Sequence, residues 1–285
     1  MKTYWVITAY GEQVHLQVQT YLLVTSMVNH LTDQSEIIIA TDHPEHYQCF
    51  KDTVTFETLE RERIMEWTSD LKFFFKIKPF LLSHIMRERT GNIVWLDSDT
   101  FCYGSLAPFE KSLSDGKFLM HLREYQPWDG KTKEQREYRK RLTGVDLSSH
   151  RFTPETWMWN AGIVGIPHTH TDRIHEVGTM IETMENLSFS PRTRLKEQLA
   201  FSIFCQSHGK IIPAQPAFLH YWGNKEGWYD FGVRCFLNTW KVKTTIAELG
   251  ESLQKEKDKL PREAPVKKSR IERRKAKLRR ILKLD

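Results

Sequence analysis

The sequence has no long apolar run and few cysteines. No stretch approaches the ~20 apolar residues that a membrane-spanning helix needs, and the N-terminal residues MKTYWVI do not form the apolar core of a secretory signal peptide. Four cysteines in 285 residues, none in a CxxC pair, argue against a zinc knuckle or a dense disulfide framework. These absences predict a cytoplasmic protein, kept in the reducing compartment where it is made.

Excess charge is also absent from most of the chain. The net charge is +6, but residues 251–285 hold fourteen Lys or Arg and six Asp or Glu, so this segment alone has a net charge of +8. The first 250 residues therefore have a net charge of −2. Because the basic character belongs to the tail, whole-chain charge is no argument for nucleic-acid binding, and we expect no nucleic-acid partner.

Strand-like runs alternate with helix-like segments in the first hundred residues. The predicted strands are residues 4–9, 36–41, 54–59 and 92–96, and the predicted helices are 12–30 and 70–89. Pro79 is expected to kink or divide the second helix. This alternation is typical of a parallel α/β sheet, in which ligands bind beyond the carboxyl ends of the strands.

The second half of the chain is less regular. The predicted elements are strands at 117–122, 160–166 and 210–213, helices at 171–187 and 194–207, and a polar excursion with a helical middle at 123–152. We predict a single α/β domain over residues 1–245, followed by a basic tail over 246–285.

The sharpest local motif is an Asp-x-Asp pair, Asp97 and Asp99, directly after an apolar strand. In an extended chain, positions i and i+2 point the same way, so both carboxylates can converge on one hard cation. An isolated pair of this kind more often caps a turn. Glycoside hydrolysis also uses paired carboxylates, but it needs them about 5–9.5 Å apart across the scissile bond, which suits neighbours on one strand poorly.

With this motif in place, the chain resembles the GT-A fold glycosyltransferases, and most closely family 8, the retaining group that includes glycogenin and bacterial lipopolysaccharide galactosyltransferases. In those enzymes the Asp-x-Asp pair holds Mn²⁺ against the diphosphate of a nucleotide sugar. The resemblance implies a Rossmann-like GT-A domain, Mn²⁺ or Mg²⁺, a UDP-sugar donor and a glycan or lipid-linked glycan acceptor.

Further motifs match the family in the same order along the chain. Lys76, in FKIKPFLL, takes the place of a basic donor-binding residue, while Lys78 is expected to be an ordinary solvated helix residue. Asn160-Ala161-Gly162 resembles the strand that lines the donor sugar, and Glu197-Gln198 stands where the family shows Asp-Gln. His220, in HYWGNKEGW, resembles the family's third metal ligand.

The resemblance therefore implies a complete set of site residues. The metal ligands are Asp97, Asp99 and His220. The catalytic candidates are Asn160, Glu197 and Gln198, with Glu197 as nucleophile or as a ligand of a sugar hydroxyl. The donor-binding candidates are Thr8, Ala9, Tyr10, Lys76, Asp97, Ser98, Gly162, Gly223 and Lys225.

These residues predict a metal-dependent transfer of a sugar from a UDP-sugar to a glycan hydroxyl, with retention. An inverting Asp-x-Asp transferase of another family and a catalytically silent nucleotide-sugar-binding protein are the alternatives.

In the tail, Pro261 and Pro265 interrupt any helix, and apolar residues from Ile271 onward fall near one face among Arg and Lys. That pattern predicts a basic amphipathic segment for an anionic membrane surface at the inner face, with a solvated charged tail as the alternative.

Overall fold

A seven-stranded sheet forms the centre of the protein. The computed structural model describes residues 1–68, 76–187, 189, 195–242, 245–255 and 260–263. In spatial order the strands are β10 (Ile211–Pro213), β6 (Phe118–Met120), β9 (Ile163–Ile166), β4 (Asn92–Leu96), β1 (Thr3–Ala9), β2 (Ser35–Thr41) and β3 (Val54–Thr58). β9 runs antiparallel to β4 and β6, and the other neighbouring pairs are parallel.

Two small antiparallel sheets lie beside the central one. β5 (Thr100–Cys102) pairs with β11 (Phe218–His220), and β7 (Arg123–Tyr125) pairs with β8 (Met158–Trp159). Both connect chain segments more than thirty residues apart. They therefore bring distant residues to the ends of the central strands.

Helices cover both faces of the central sheet. They are α1 (Val14–Met27), α2 (Arg61–Thr68), α3 (Ile77–Met86), α4 (Ala107–Ser114), α5 (Lys133–Leu142), α6 (His175–Asn186), α7 (Lys196–His208), α8 (Lys225–Val242) and α9 (Ile246–Lys255). Among the described helices, none combines the length and the apolar character needed to cross a bilayer.

The alternation of side chains along β1 shows how the core divides. Tyr4 and Val6 pack into the cluster on one face of the sheet, whereas Trp5 and Ile7 pack into the cluster on the other. Successive side chains of a strand point to opposite faces, so a strand covered on both sides is apolar throughout. This explains why β1, β2 and β4 appear in the sequence as continuous apolar runs.

The predicted α/β class and the Rossmann-like GT-A arrangement are confirmed by this sheet. Two local predictions are wrong. Only residues 163–166 of the predicted strand 160–166 belong to β9, because residues 160–162 form the turn before it. Pro79 does not kink α3; it lies in the first turn, where its missing N–H has no helical partner. Residues 69–75 of the predicted helix lie outside the described residues.

The first part of the predicted tail packs against the domain. Leu249 and Leu253 of α9 are buried, the side-chain amide of Asn29 donates to the carbonyl of Ala247 (3.0 Å), and Gln254 donates to the carbonyl of Cys102 (3.1 Å). Farther on, the carbonyl of Arg262 accepts from the indole of Trp228 (3.2 Å). Among the described residues, contacts with the domain therefore continue past residue 245 to Arg262. The predicted amphipathic segment from residue 266 lies outside the described residues.

Candidate active site

A cleft of about 1070 Å³ opens beyond the carboxyl ends of β1 and β4. These parallel strands are hydrogen-bonded neighbours, with Ile7 opposite Leu96, so the residues that follow them lie side by side. The predicted site residues that line the cleft are Thr8, Tyr10, Asp97, Ser98, Asp99, Asn160, Gly162, Glu197, Gln198, His220 and Lys225. Ala9, Lys76 and Gly223 were also predicted for the site but are not among the lining residues.

The turn after β4 fixes both aspartates. The backbone N–H of Asp97 donates to the carbonyl of Gly162 (2.8 Å), and the indole of Trp95 donates to the Asp97 carboxylate (2.7 Å). Asp99 is 4% exposed. Burial alone would raise the pKa of the Asp99 carboxyl, but the hydrogen bond to His220 and the nearby charges of His220 and Lys225 hold that pKa well below its usual range.

His220 reaches the aspartates through strand pairing. In the β5–β11 sheet His220 lies opposite Thr100, and the backbone N–H of Tyr221 donates to the carbonyl of Asp99 (2.9 Å). This places His220 Nε2 3.3 Å from Asp99 Oδ1 and 3.7 Å from Asp97 Oδ2. Residues separated by more than 120 positions therefore meet at one point.

Asn160 determines which nitrogen of His220 faces the carboxylates. Asn160 Oδ1 accepts from the backbone N–H of Gly162 (3.0 Å), so this atom is an acceptor. His220 Nδ1 lies 2.8 Å from the same oxygen and must therefore donate to it. In a neutral ring Nε2 then carries the lone pair, and a metal-binding histidine usually donates its other ring N–H to a protein oxygen in this way.

The three side chains fit a divalent cation. One ligand atom from each of Asp97, Asp99 and His220 lies within 4.8 Å of the other two. Two carboxylates and an Nε2 lone pair converging on one point repel one another unless a cation or a proton lies between them. Oxygen-rich donors with one imidazole suit Mn²⁺ or Mg²⁺ better than soft metals. Lys225 Nζ, 2.8 Å from Asp99 Oδ2, supplies positive charge here.

Lys78 is a buried ion at the floor of the cleft, contrary to the expectation that it is solvated. Its side chain is 4% exposed, and Nζ lies 3.0 Å from Asp97 Oδ1 and 2.7 Å from Glu197 Oε1. It also donates to the carbonyl of Ala161 (3.0 Å). Burial lowers the pKa of Lys78, but Asp97 and Glu197 outweigh it, so the pKa lies above its ordinary value. Burial raises the pKa of the Glu197 carboxyl.

Lys76, predicted to contact the donor, lies on another side of α3. Its Nζ pairs with Glu185 (3.2 Å) and Glu182 (3.4 Å) of α6. Lys76 immediately precedes α3 and Lys78 lies in its first turn, and residues two apart along a helical stretch do not share a face. The sequence motif is present, but the lysine directed at the aspartates is the other one.

Glu124, which sequence reasoning missed, organises the opposite wall. Its carboxylate accepts from the side-chain amides of Asn160 (3.1 Å) and Gln198 (2.9 Å). Gln198 Oε1 in turn accepts from the backbone N–H of Ala161 (3.4 Å). The predicted catalytic amides are therefore joined by a carboxylate on β7. Its only sequence signal was a place at the start of the polar excursion.

The remaining predicted positions surround the cleft. Thr8 lines it, and Thr8 Oγ1 is a buried hydroxyl oxygen with no hydrogen-bond partner among the described residues. The Ser98 hydroxyl donates to Gln19 Oε1 (3.1 Å). Trp222, two residues after His220, also lines the cleft and is 67% exposed. An unpaired buried hydroxyl and an exposed indole that line one cleft are typical of a ligand site rather than of a packed core.

Known proteins offer a structural likeness and no sequence match. No family model matches the chain, and no curated protein matches it. The chain is similar in structure to mouse xyloside xylosyltransferase 1 in its apo crystal form. The TM-score is 0.49 at 11% sequence identity, covering 73% of this chain and 82% of that chain.

Proposed function

We propose that this protein is a metal-dependent glycosyltransferase that moves a sugar from a UDP-sugar to a hydroxyl of a glycan or lipid-linked glycan. The observation that carries the proposal is the convergence of Asp97, Asp99 and His220 in a cleft of about 1070 Å³. That volume is at the upper end of ordinary small-molecule sites, which suits an extended nucleotide sugar. Membership of family 8, and retention with it, is proposed from the sequence motifs.

The charges of the site favour departure of a nucleoside diphosphate. A divalent cation such as Mn²⁺, held by Asp97, Asp99 and His220, would supply Lewis-acid stabilisation of that leaving group. Lys225 reaches the same point with a side chain that is 56% exposed. It can therefore place its ammonium on a phosphate oxygen, where negative charge develops in the transition state.

We assign the sugar of the donor to the wall of the cleft that Glu124 organises. Asn160 and Gln198 present amides that Glu124 holds in place, and such groups can bind sugar hydroxyls or face the reacting carbon. Glu197 is buried and paired with Lys78, so we assign it to holding that lysine beneath Asp97. Thr8 and Tyr10, after β1, are proposed to contact the base and ribose.

A donor-hydrolysis screen tests the proposal. We expect UDP release from at least one of a panel of UDP-sugars in Mn²⁺ or Mg²⁺ and none in EDTA. Asp99→Ala should lower the rate by about 100-fold or more, because it removes a ligand of the catalytic ion. Asp115→Ala, at an exposed carboxylate paired with Lys111 and Lys117, is the matched control and should leave the rate unchanged.

The outcomes separate the alternatives. Full activity in Asp99→Ala would sink the assignment of the metal site. UDP binding without turnover of any sugar would support a silent binding protein. The anomeric configuration of the product, read by proton NMR, distinguishes retention from inversion.

We also propose that the basic tail brings the enzyme to an anionic membrane, where a lipid-linked acceptor would be found. Residues 264–285 contain ten Lys or Arg and two Asp or Glu. Each basic residue near such a surface contributes about 1 kcal/mol, screened by salt. Removing residues 264–285 should abolish co-sedimentation with phosphatidylserine-containing vesicles at low salt and leave donor hydrolysis unchanged. Equal vesicle binding with and without the tail would contradict this role.

A further inference from the structure

A second group of metal-binding side chains lies at the far end of α7. Gln198 is in the first turn of this helix, beside the cleft, whereas His208 is its last residue. The ten-residue separation corresponds to about 15 Å along the helix. At that far end His150, Glu176 and His208 each offer one ligand atom, and the three atoms lie within 4.8 Å of one another.

The three residues come from separate elements. His150 closes a turn in which Leu147 and His150 exchange two backbone hydrogen bonds (2.9 and 3.1 Å). Ser148 and Ser149 within it have φ of 57° and 67°, a conformation that costs free energy for residues other than glycine. Glu176 begins α6. His150 is 7% exposed and the Glu176 side chain is 13% exposed, so two of the three ligands are shielded from water.

The hydrogen bond that His208 makes leaves one of its ring nitrogens available to an ion. His208 Nδ1 lies 2.8 Å from the carbonyl oxygen of Phe204, which can only accept, so Nδ1 donates and Nε2 is left with a lone pair in the neutral ring. Metal-binding histidines commonly donate the N–H of their other ring nitrogen to a backbone carbonyl, which fixes the ring orientation. His150 Nε2 lies 2.8 Å from Glu176 Oε2, a carboxylate oxygen that only accepts, so Nε2 donates in this contact and an ion bound through Nε2 would displace that proton. The rings of His150 and His208 are 4.9 Å apart between centroids.

We propose that His150, Glu176 and His208 form a second metal site, which takes a divalent ion of the zinc class. Two imidazoles and one carboxylate are a donor set that Zn²⁺ accepts, with a water molecule as fourth ligand. Mn²⁺ and Mg²⁺ favour oxygen-rich donors such as the aspartate pair in the cleft. The two sites therefore differ in the metal that they select.

The bound ion would cross-link three segments of the fold. Arg173 contacts Glu176 from outside, with Nε 2.6 Å from Oε1 and Nη2 3.2 Å from Oε2, and its side chain is 42% exposed. This contact leaves the carboxylate ionised, which is the form that binds metal. An ion at Glu176 would tie the turn at His150 and the start of α6 to the end of α7. Its binding would stabilise the native state by an amount that grows with the logarithm of the metal concentration above Kd.

Zinc titration of the full-length protein, by calorimetry and by competition with a chromophoric chelator, tests the site. Two other clusters could also take up zinc: Asp97, Asp99 and His220, and the partly exposed His43, Glu45 and His46. Asp99→Asn and His46→Gln each remove one ligand from one of these clusters, so that zinc bound there can be recognised by its loss. His175→Gln, at an exposed histidine in the first turn of α6, is the matched control.

We expect one Zn²⁺ equivalent to be lost in His150→Gln and in His208→Gln and kept in the other three variants. Zn²⁺ should raise the thermal midpoint of the wild type and not that of His208→Gln, whose circular dichroism without metal should match the wild type. Unchanged zinc stoichiometry in both His150→Gln and His208→Gln would overturn the proposal. The proposal would also fail if Asp99→Asn and His46→Gln together removed all bound zinc. His150, Glu176 and Arg173 would then form only an ion-pair cluster.

Discussion

A side chain at Gly162 would occupy the space that the His220 ring fills. A Cβ built at this position lies 2.3 Å from both Cε1 and Nδ1 of that ring, well inside van der Waals contact. The glycine also donates to Asn160 Oδ1, the atom that orients His220. At the scale of single residues, the site therefore depends as much on a missing side chain as on the ligands themselves.

Gly162→Ala should displace His220 from the aspartates. We expect the affinity for Mn²⁺ to fall by about 10–100-fold, as when a hydrogen bond that orients a metal ligand is removed. Donor hydrolysis at limiting Mn²⁺ should fall by a matching factor. Titration of Mn²⁺ followed by electron paramagnetic resonance measures the affinity. Gly178→Ala, in α6 beside Phe80, is the control and should bind Mn²⁺ like the wild type. Wild-type affinity in Gly162→Ala would contradict the assignment of His220.

Lys78 should be the costliest lysine to remove. Lys78→Met leaves Asp97 and Glu197 facing each other without a counter-ion, so we expect a loss of about 3–5 kcal/mol in the free energy of unfolding. Lys76→Met is the control, because its partners Glu182 and Glu185 have side chains 51% and 27% exposed and can turn to water. Denaturant unfolding measures both, and equal losses would contradict this account.

Pairing between short strands places functional side chains on both walls of the cleft. β11 pairs with β5 and delivers His220, while β7 pairs with β8 and delivers Glu124 beside Asn160. The first turn of α7 adds Gln198. At this scale the excursion between β6 and β9 is part of the candidate active site, because its first strand carries the carboxylate that joins Asn160 to Gln198.

Glu124→Gln tests that role. The new side chain keeps one acceptor oxygen and replaces the other by an NH2 donor, so either Asn160 or Gln198 loses its hydrogen bond and its fixed position. We expect kcat for donor hydrolysis to fall by about 10–100-fold while the Kd for UDP, which lacks the sugar, stays unchanged. Glu155→Gln, at an exposed position of the same half of the chain, should behave like the wild type. A weaker affinity for UDP with normal kcat would place Glu124 in the nucleotide subsite instead.

Across the whole molecule, buried histidines make stability depend on pH. His121 is 2% exposed, and burial, aided by the charge of His220, lowers its pKa to about 4. The unfolded chain binds a proton here below about pH 6.5, whereas the folded protein does so only near pH 4. Between these values the unfolded state holds more protons, so folding stability decreases as the pH falls.

His121→Gln should remove this part of the acid sensitivity. We expect the loss of unfolding free energy between pH 7 and pH 5 to be smaller than in the wild type by about 2 kcal/mol. Urea unfolding at the two pH values measures the difference. His175→Gln, at an exposed histidine, is expected to follow the wild-type curve. A variant curve parallel to the wild type would show that His121 takes up its proton at the same pH in both states.

The sequence by itself determined the main strands of the sheet and the position of the aspartate pair that follows one of them. β1, β2 and β4 are continuous apolar runs because both faces of each strand are buried. Such a run can be recognised from the sequence alone. The position of Asp97 and Asp99 after β4 follows from the same pattern. The motif around His220 was found by resemblance, because nothing local distinguishes it from a histidine in an aromatic core.

Only the tertiary structure decided which side chains meet. Lys76 and Lys78 are two residues apart in one motif, yet α3 turns one towards α6 and the other under Asp97. Glu124 became part of the site through the β7–β8 pairing, and the cluster at His150 through the ends of α6 and α7. These contacts join positions dozens of residues apart, and the side-chain directions that create them depend on helix rotation and strand register, which a hydrophobic pattern does not encode.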